Sequence, residues 1–412
     1  MKYRPEIDGL RALAVIAVIL FHTQNPLFKN AFIGVDIFFV ISGFLISGLI
    51  IAKQQAAEFS LAGFYLRRAR RLLPALLVMM LFCMPFAWSW MYAYQQKDFA
   101  QSLIAANLFS SNILYWLESQ RYFANSAALK PLLHTWSLAV EEQFYLFYPL
   151  LLLAVIRFGR SFTVLTIIVI TIASALYSEV WLSGQPLAQY YFPQARVWLF
   201  GVGALLFFTV NRWPVLLPRY SGALSILGVI CLVLPLVFAP SDEIIEKSIG
   251  VLSWTSICVL GAALIILFAG QQNRVGRLLS LRPLVGIGMM SYGLYLWHYP
   301  VFTFARIRFF EVSPALYAGL ICVSFLLAYL SWRLIEVPFR NKQLVSHRLF
   351  LLSVLCVTSL IISVAFYSLK TNRDDLSDLL AQNVGLSENC NAVQPDGRCQ
   401  TGDQPEVMLW GD

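Results

Sequence analysis

The stretch Ile33-Gly34-Val35-Asp36-Ile37-Phe38-Phe39-Val40-Ile41-Ser42-Gly43-Phe44-Leu45-Ile46-Ser47-Gly48-Leu49-Ile50-Ile51-Ala52 decides the fold class. It holds one ionisable side chain, Asp36, among apolar, Gly and Ser residues. A helix of about 20 such residues, rising 1.5 Å per residue, matches the roughly 30 Å apolar thickness of a bilayer. Outward from it the pattern recurs. Spanning helices are predicted over 10–25, 33–52, 72–92, 136–156, 161–178, 195–211, 222–239, 249–269, 284–304, 314–334 and 349–367. The first is not a signal peptide, since it lacks a small-residue cleavage site and a second span follows almost at once. The 412 residues are 59% hydrophobic and 13% charged. Soluble domains carry about 25% charged residues, so this chain cannot cover a water-facing surface of its size. A soluble globular enzyme is excluded. Disorder and collagen-like repeats are excluded by the aromatic content of 15% and the lack of any Gly or Pro period. The expected fold is an all-α polytopic membrane protein of about eleven spans.

Charge gives the chain a direction. Net charge is +8, but eight acids follow Leu369 against only Lys370, Arg373 and Arg398, so the tail is net −5 and the remainder net +13. Eleven spans with the N-terminus inside place 19 Lys and Arg on the cytoplasmic side and 11 outside, as the positive-inside rule requires. The segment 98–117 tempts a twelfth span, but Gln101, Asn107, Ser110, Ser111 and Asn112 interrupt it. Counting it would invert every later loop, so a re-entrant or interfacial helix on the outer face is expected. The C-terminal tail then lies outside. Cys390 and Cys399 sit in that tail, where an oxidising compartment would let them form a disulfide. Cys83, Cys231, Cys258, Cys322 and Cys356 lie in apolar runs and read as packing residues. No metal site is expected. Nucleic acid is a poor partner, because the basic residues occupy short loops between apolar runs.

Ionisable groups inside spans cost about 2.5–3.5 kcal/mol each on insertion scales and are functional candidates by default. Arg11 and His22 lie in the first span. Eleven residues of helix advance 1100°, about 20° past three turns, so both side chains share a face about 16 Å apart. Asp36 enters the second span near the same outer border as His22, where a carboxylate would orient the imidazole. Capping of the helix start is its structural alternative. Ser42, Gly43, Ser47 and Gly48 read as close-packing residues. In the fourth span His134, Ser137 and Glu141 share a face that Tyr145 continues, while Glu142 points about 100° away. At least one of the two glutamates should face a polar cavity, the other being neutral or paired with an Arg. The ninth span ends in Tyr295-Leu296-Trp297-His298-Tyr299-Pro300, with His298 near the outer border and Pro300 loosening the last turn. Arg333 and Glu336 end the tenth span as an expected structural ion pair. Arg67, Arg68, Ala69, Arg70 and Arg71 form the strongest inner basic cluster. It suits topology, anionic lipid, or a bidentate phosphate site.

Five motifs in order resemble the acyltransferase-3 family of bacterial membrane O-acetyltransferases. They are Arg11-x10-His22, the run from Gly34 to Phe44, Arg68-x-x-Arg71, Trp136-Ser137-Leu138 with Glu141-Glu142-Gln143-Phe144-Tyr145, and Tyr292 with Leu296-Trp297-His298. The resemblance covers residues 1–340 as a ten-helix acyltransferase domain. Residues 341–369 look like a linking region with an extra span. Residues 370–412 look like a periplasmic linker and the start of an SGNH-hydrolase-like domain, because Val407-Met408-Leu409-Trp410-Gly411-Asp412 is similar to its first strand and Gly-Asp-Ser turn. The chain reads as truncated there; a natural short tail is the alternative.

The resemblance implies acetyl-CoA as cytoplasmic donor and a cell-surface glycan as acceptor, in the bacterial inner membrane. It implies His22 as general base, with Arg11, Asp36, Glu141 and Glu142 in the catalytic set. Asp36 or one of the glutamates would hold the imidazole tautomer, and a nearby Arg would stabilise the oxyanion. An acetyl-imidazole on His22 is the alternative. Arg67, Arg68 and Arg71 would hold the CoA phosphates. His134, Trp136, Tyr145, Trp297 and His298 would stand on the substrate side. The favoured acceptor is a lipopolysaccharide-type sugar, with peptidoglycan or exopolysaccharide as the alternative. A transporter of acyl groups or small solutes also places charge in spans. It commonly shows inverted repeats and helices broken at mid-membrane, and the polar groups here cluster at the outer border instead. A structural or sensory scaffold would not need the buried charges. Oligomeric state is not legible.

Overall fold

Apolar side chains on every face let each predicted span satisfy its backbone internally, and the only membrane solution open to such segments is a helix. A computed structural model of the chain describes residues 3–120, 127–212, 218–238, 254–309 and 311–380. All regular structure among them is helical. The helices are α1 (Pro5–Phe21), α2 (Gly34–Gln55), α3 (Leu61–Trp90), α4 (Ala93–Asn107), α5 (Ser111–Ser119), α6 (Thr135–Ile156), α7 (Arg160–Leu176), α8 (Pro186–Tyr191), α9 (Pro193–Arg212), α10 (Ser221–Phe238), α11 (Trp254–Phe268), α12 (Arg274–Leu279), α13 (Arg282–Met289), α14 (Ser291–Arg308), α15 (Pro314–Ser331), α16 (Val337–Arg340) and α17 (His347–Leu380). Local chemistry sets several starts. Ser60 Oγ accepts from Gly63 N at 3.2 Å, Asn273 Oδ1 from Gly276 N at 2.9 Å, and Ser313 Oγ from Leu316 N at 3.2 Å, as N-caps do.

Among the described residues, seven helical stretches are long and apolar enough to cross a membrane: Ala31–Gln55, Leu61–Trp90, Thr135–Ile156, Arg160–Trp181, Pro193–Arg212, Pro314–Arg340 and His347–Thr371. The other predicted spans are helices too, but shorter or more polar. The first span is the 17-residue α1, and the seventh and eighth correspond to the shorter apolar α10 and α11. The ninth, expected to be continuous over 284–304, breaks at Met290 into α13 and α14. Pro300 does not loosen its end, because α14 runs on to Arg308. The segment 98–117 is two helices rather than one. They break where Phe109 takes φ 49°, and neither α4 (15 residues) nor α5 (9 residues) has spanning length. Exposed side chains such as Leu165 (57%), Ile172 (53%) and Leu355 (63%) line the outside of the bundle, a surface suited to lipid. The chain is a multi-pass, all-helical membrane protein. The expected disulfide Cys390–Cys399 and the terminal strand lie outside the described residues. Cys322 and Cys356 are exposed rather than packed.

Helix α1 is the centre. Leu10, Ala12, Ala14, Val15 and Val18 are fully buried. One side of α1 (Ile7, Leu10, Ala14, Val18) joins an apolar core built with α2, α6, α9 and α11. Another side (Val15, Ile19) joins a second core built with α3, α4 and α14. Close approach of α2 and α9 depends on glycine. A Cβ on Gly43 would stand 2.0 Å from the Phe200 carbonyl oxygen, and one on Gly203 2.0 Å from that of Val40. Small residues let membrane helices meet backbone to backbone.

Candidate active site

The two ends of the α1 polar face meet different surroundings. At one end Arg11 donates to Asp8 Oδ1 (3.1 Å) and Ser291 Oγ (2.9 Å). It lines a narrow cavity of about 110 Å³ with Ser42, Arg68, Arg71, Glu141, Tyr145 and Tyr295. Arg68 and Arg71 reach it from α3 because i and i+3 share a helix face. Arg70 points away and is held by the Phe339 and Val345 carbonyls, both at 2.9 Å, and by His347 Nδ1 at 3.0 Å. Arg67 does not line the cavity and packs by Gly63.

The two glutamates divide as their 100° separation predicts. Glu141 faces the cavity and accepts from Ser42 Oγ (2.5 Å) and from the Tyr145 hydroxyl. Glu142 pairs with Arg68 at 2.7 Å, and the Arg68 guanidinium lies 3.3 Å above the Tyr145 ring. Ser42 is therefore a hydrogen-bond donor rather than a packing residue. Arg71 makes no ion pair or hydrogen bond among the described residues, and its Nε is buried without a partner. At this same end Glu336 pairs with Arg340 (2.7 Å), not with Arg333, because a π turn at Trp332–Glu336 shifts the register.

At the other end of α1, His22 meets His298. Its Nδ1 lies 3.1 Å from His298 Nε2, while His298 Nδ1 lies 2.9 Å from the Leu294 carbonyl. A carbonyl only accepts, so His298 Nδ1 carries its proton. Neutral His298 then accepts through Nε2 from His22 Nδ1–H, and His22 Nε2 is left with a lone pair. The carboxylate expected to orient His22 is replaced by a second imidazole. Asp36 is committed elsewhere: it pairs with Arg196 at 2.8 Å, with both side chains almost fully buried, and bonds Thr255. At the opposite end Glu141 faces the cavity and Glu142 pairs with Arg68.

The remaining candidates sort around these imidazoles. His134, at the start of α6, stacks on Tyr299 (ring centroids 5.2 Å) and lies 6.0 Å from the His298 ring. Tyr295 joins the two ends: it lines the cavity, its hydroxyl donates to the His134 carbonyl (2.7 Å), and it sits 2.5 Å from Ser137 Oγ. Trp136 packs on Tyr190 and lies near Arg196. Trp297 turns away towards Phe82. The sequence passed over two residues. One is Tyr295, whose helix spacing to His298 (i, i+3) is the signal that marked it. The other is Arg306, which donates to the His22 and Ala128 carbonyls and to the Tyr317 hydroxyl and so fixes the end of α1. Among the described residues no group of three His, Cys, Asp or Glu is placed to hold a metal ion. A separate hollow, about 720 Å³, is an apolar groove between α6, α7 and α9 lined by residues such as Val140, Phe144, Ile167 and Val197. It carries no charged side chain.

A cationic cavity at one end of α1 and a pair of imidazoles at the other, inside a membrane bundle, define an integral-membrane protein equipped for group transfer. The profile of the family described as "Acyltransferase domain" matches residues 4–333, and the chain belongs to this acyltransferase-3 family. It is 34% identical over 361 residues to the peptidoglycan O-acetyltransferase OatA of Listeria monocytogenes, covering 84% of this chain and 57% of the relative. It is 31% identical over 359 residues to the O-acetyltransferase OatA of Staphylococcus aureus, covering 83% of this chain and 58% of the relative. The chain thus spans somewhat over half the length of these relatives. No solved structure matches it.

Proposed function

We propose that the chain is a membrane O-acetyltransferase that moves an acetyl group from acetyl-CoA to a hydroxyl of a cell-surface glycan, with peptidoglycan as the acceptor class. The lipopolysaccharide acceptor expected from the sequence gives way, because the Listeria relative bears the name of a peptidoglycan enzyme. The observation that carries the reading is the His22–His298 pair, which leaves one nitrogen of His22 free as a base at the end of a helix whose other end meets three arginines.

In this reading the Arg11 end faces the cytoplasm and the His22 end faces outward. Arg71, which makes no hydrogen bond or ion pair among the described residues, and Arg68 and Arg11 bind the phosphates of the donor. The acceptor oxygen attacks the thioester carbonyl carbon as His22 Nε2 takes its proton. The C–O bond forms, the C–S bond breaks, and the imidazolium returns the proton to the departing thiolate. His298 steadies the imidazolium by accepting its Nδ1–H, and the Leu294 carbonyl fixes His298 in turn. In a strain lacking the native gene, His22→Ala is expected to abolish acetylated muropeptides in mass spectra of the cell wall. Wild-type acetylation by that variant at normal membrane abundance would overturn the assignment.

A further inference from the structure

His134 is buried at 2% exposure, and neither of its ring nitrogens makes a hydrogen bond. The ring faces the Leu296 backbone without meeting hydrogen-bonding geometry. An imidazole carries one donor and one acceptor when neutral, and leaving such groups unmade in a buried place is costly. Nearly all buried polar groups find partners, so each exception calls for an explanation.

The rest of His134 is tightly held. Its carbonyl receives the Tyr295 hydroxyl at 2.7 Å, and its ring stacks at 30° on Tyr299. It lies against Tyr295 at 5.5 Å and His298 at 6.0 Å. The ring is therefore fixed in place while its polar atoms are idle. The charged cavity ends against Tyr295, one side chain short of this ring. The same Tyr299 touches His22 edge-on, with ring centroids 4.6 Å apart. His134 thus shares two ring neighbours, Tyr299 and His298, with the base, in a buried, preorganised position with an unspent N–H.

We infer that His134 is a catalytic residue whose ring N–H binds the carbonyl oxygen of the transferred acyl group and stabilises the oxyanion that forms there. This rests on the acyltransferase reading above. In the step, the acceptor hydroxyl oxygen bonds to the thioester carbonyl carbon and its proton goes to His22. The carbonyl oxygen takes up negative charge against the His134 N–H. Charge then returns as the C–S bond breaks and the thiolate is protonated. Removing one such donor from an acyl-transfer site typically lowers kcat by about 10²–10³.

The test uses the whole chain purified and reconstituted in phospholipid vesicles. Thiol release from acetyl-CoA is followed with chitooligosaccharide as acceptor probe. His134→Phe keeps the stacked ring but removes both nitrogens, whereas His134→Gln supplies an amide N–H. The expected result is a kcat reduced about 100-fold in His134→Phe with KM for acetyl-CoA unchanged, and recovery to within about 10-fold of wild type in His134→Gln. A role in packing alone predicts the reverse order, with Phe tolerated and Gln impaired in unfolding temperature and yield, and would overturn the proposal. Equal loss in both variants at wild-type unfolding temperature would also overturn it. A wild-type protein that releases no thiol would instead remove the acyltransferase reading, and the proposal with it.

Discussion

Single residues show where helix periodicity stops being informative. Spacing alone separates Glu141 from Glu142 and aligns Arg68 with Arg71 while turning Arg70 aside, because one helix fixes the angles between its own side chains. It does not name a partner across the bundle. Asp36 was read as the support of His22, yet it pairs with Arg196, 160 residues away. Removing one member of a buried ion pair leaves the other charge uncompensated and costs about 3–5 kcal/mol. Asp36→Leu is accordingly expected to lower the unfolding temperature in detergent markedly. Asp36→Leu with Arg196→Leu should recover much of it, since the stranded charge is gone. A double variant as unstable as the single would show that the pair does more than neutralise itself. The same limit hid His298, 276 residues from His22, as the second imidazole of the pair.

At the scale of elements, the sequence located nearly every helix because a bilayer-long apolar run has few other outcomes. It failed where helices break. Met290 interrupts a run that reads as one continuous span, whereas the break at Leu108–Ser110 falls inside the polar stretch Asn107–Asn112 that already sets 98–117 apart. Glycine is where packing becomes testable. Gly43→Leu would drive a side chain into the Phe200 carbonyl, a backbone atom that cannot step aside. The expected cost is at least ~3 kcal/mol, the upper end of overpacking penalties, seen as loss of folded protein from the membrane fraction. Gly319→Ala on α15 is the control, since nothing stands within 4 Å of its Cβ position and accumulation should be normal. Equal yields of the two variants would refute the close α2–α9 contact.

For the whole molecule, the charge bias of the loops predicts an N-inside, C-outside arrangement through the positive-inside rule. A periplasm-active reporter fused after Lys370 is expected to be active, and one inserted after Glu58, between α2 and α3, inactive. A cytoplasmic signal after Lys370 together with an inactive reporter after Glu58 would mean that the number of crossings is even. What could not be read from the sequence was the central place of α1. Its 17 residues give no sign of that place, and only its contacts with two separate apolar cores reveal that the bundle is assembled around it.

The bond between His22 and His298 also has a consequence in time. Its two halves leave the ribosome 276 residues apart, so at synthesis rates of about 5–20 residues per second they are separated by tens of seconds. Through that interval the emerging first helix has a histidine with no mate. On the proposed mechanism the reactive pair is complete only when the first 298 of the 412 residues have been threaded into the lipid, so a nascent chain interrupted earlier lacks it.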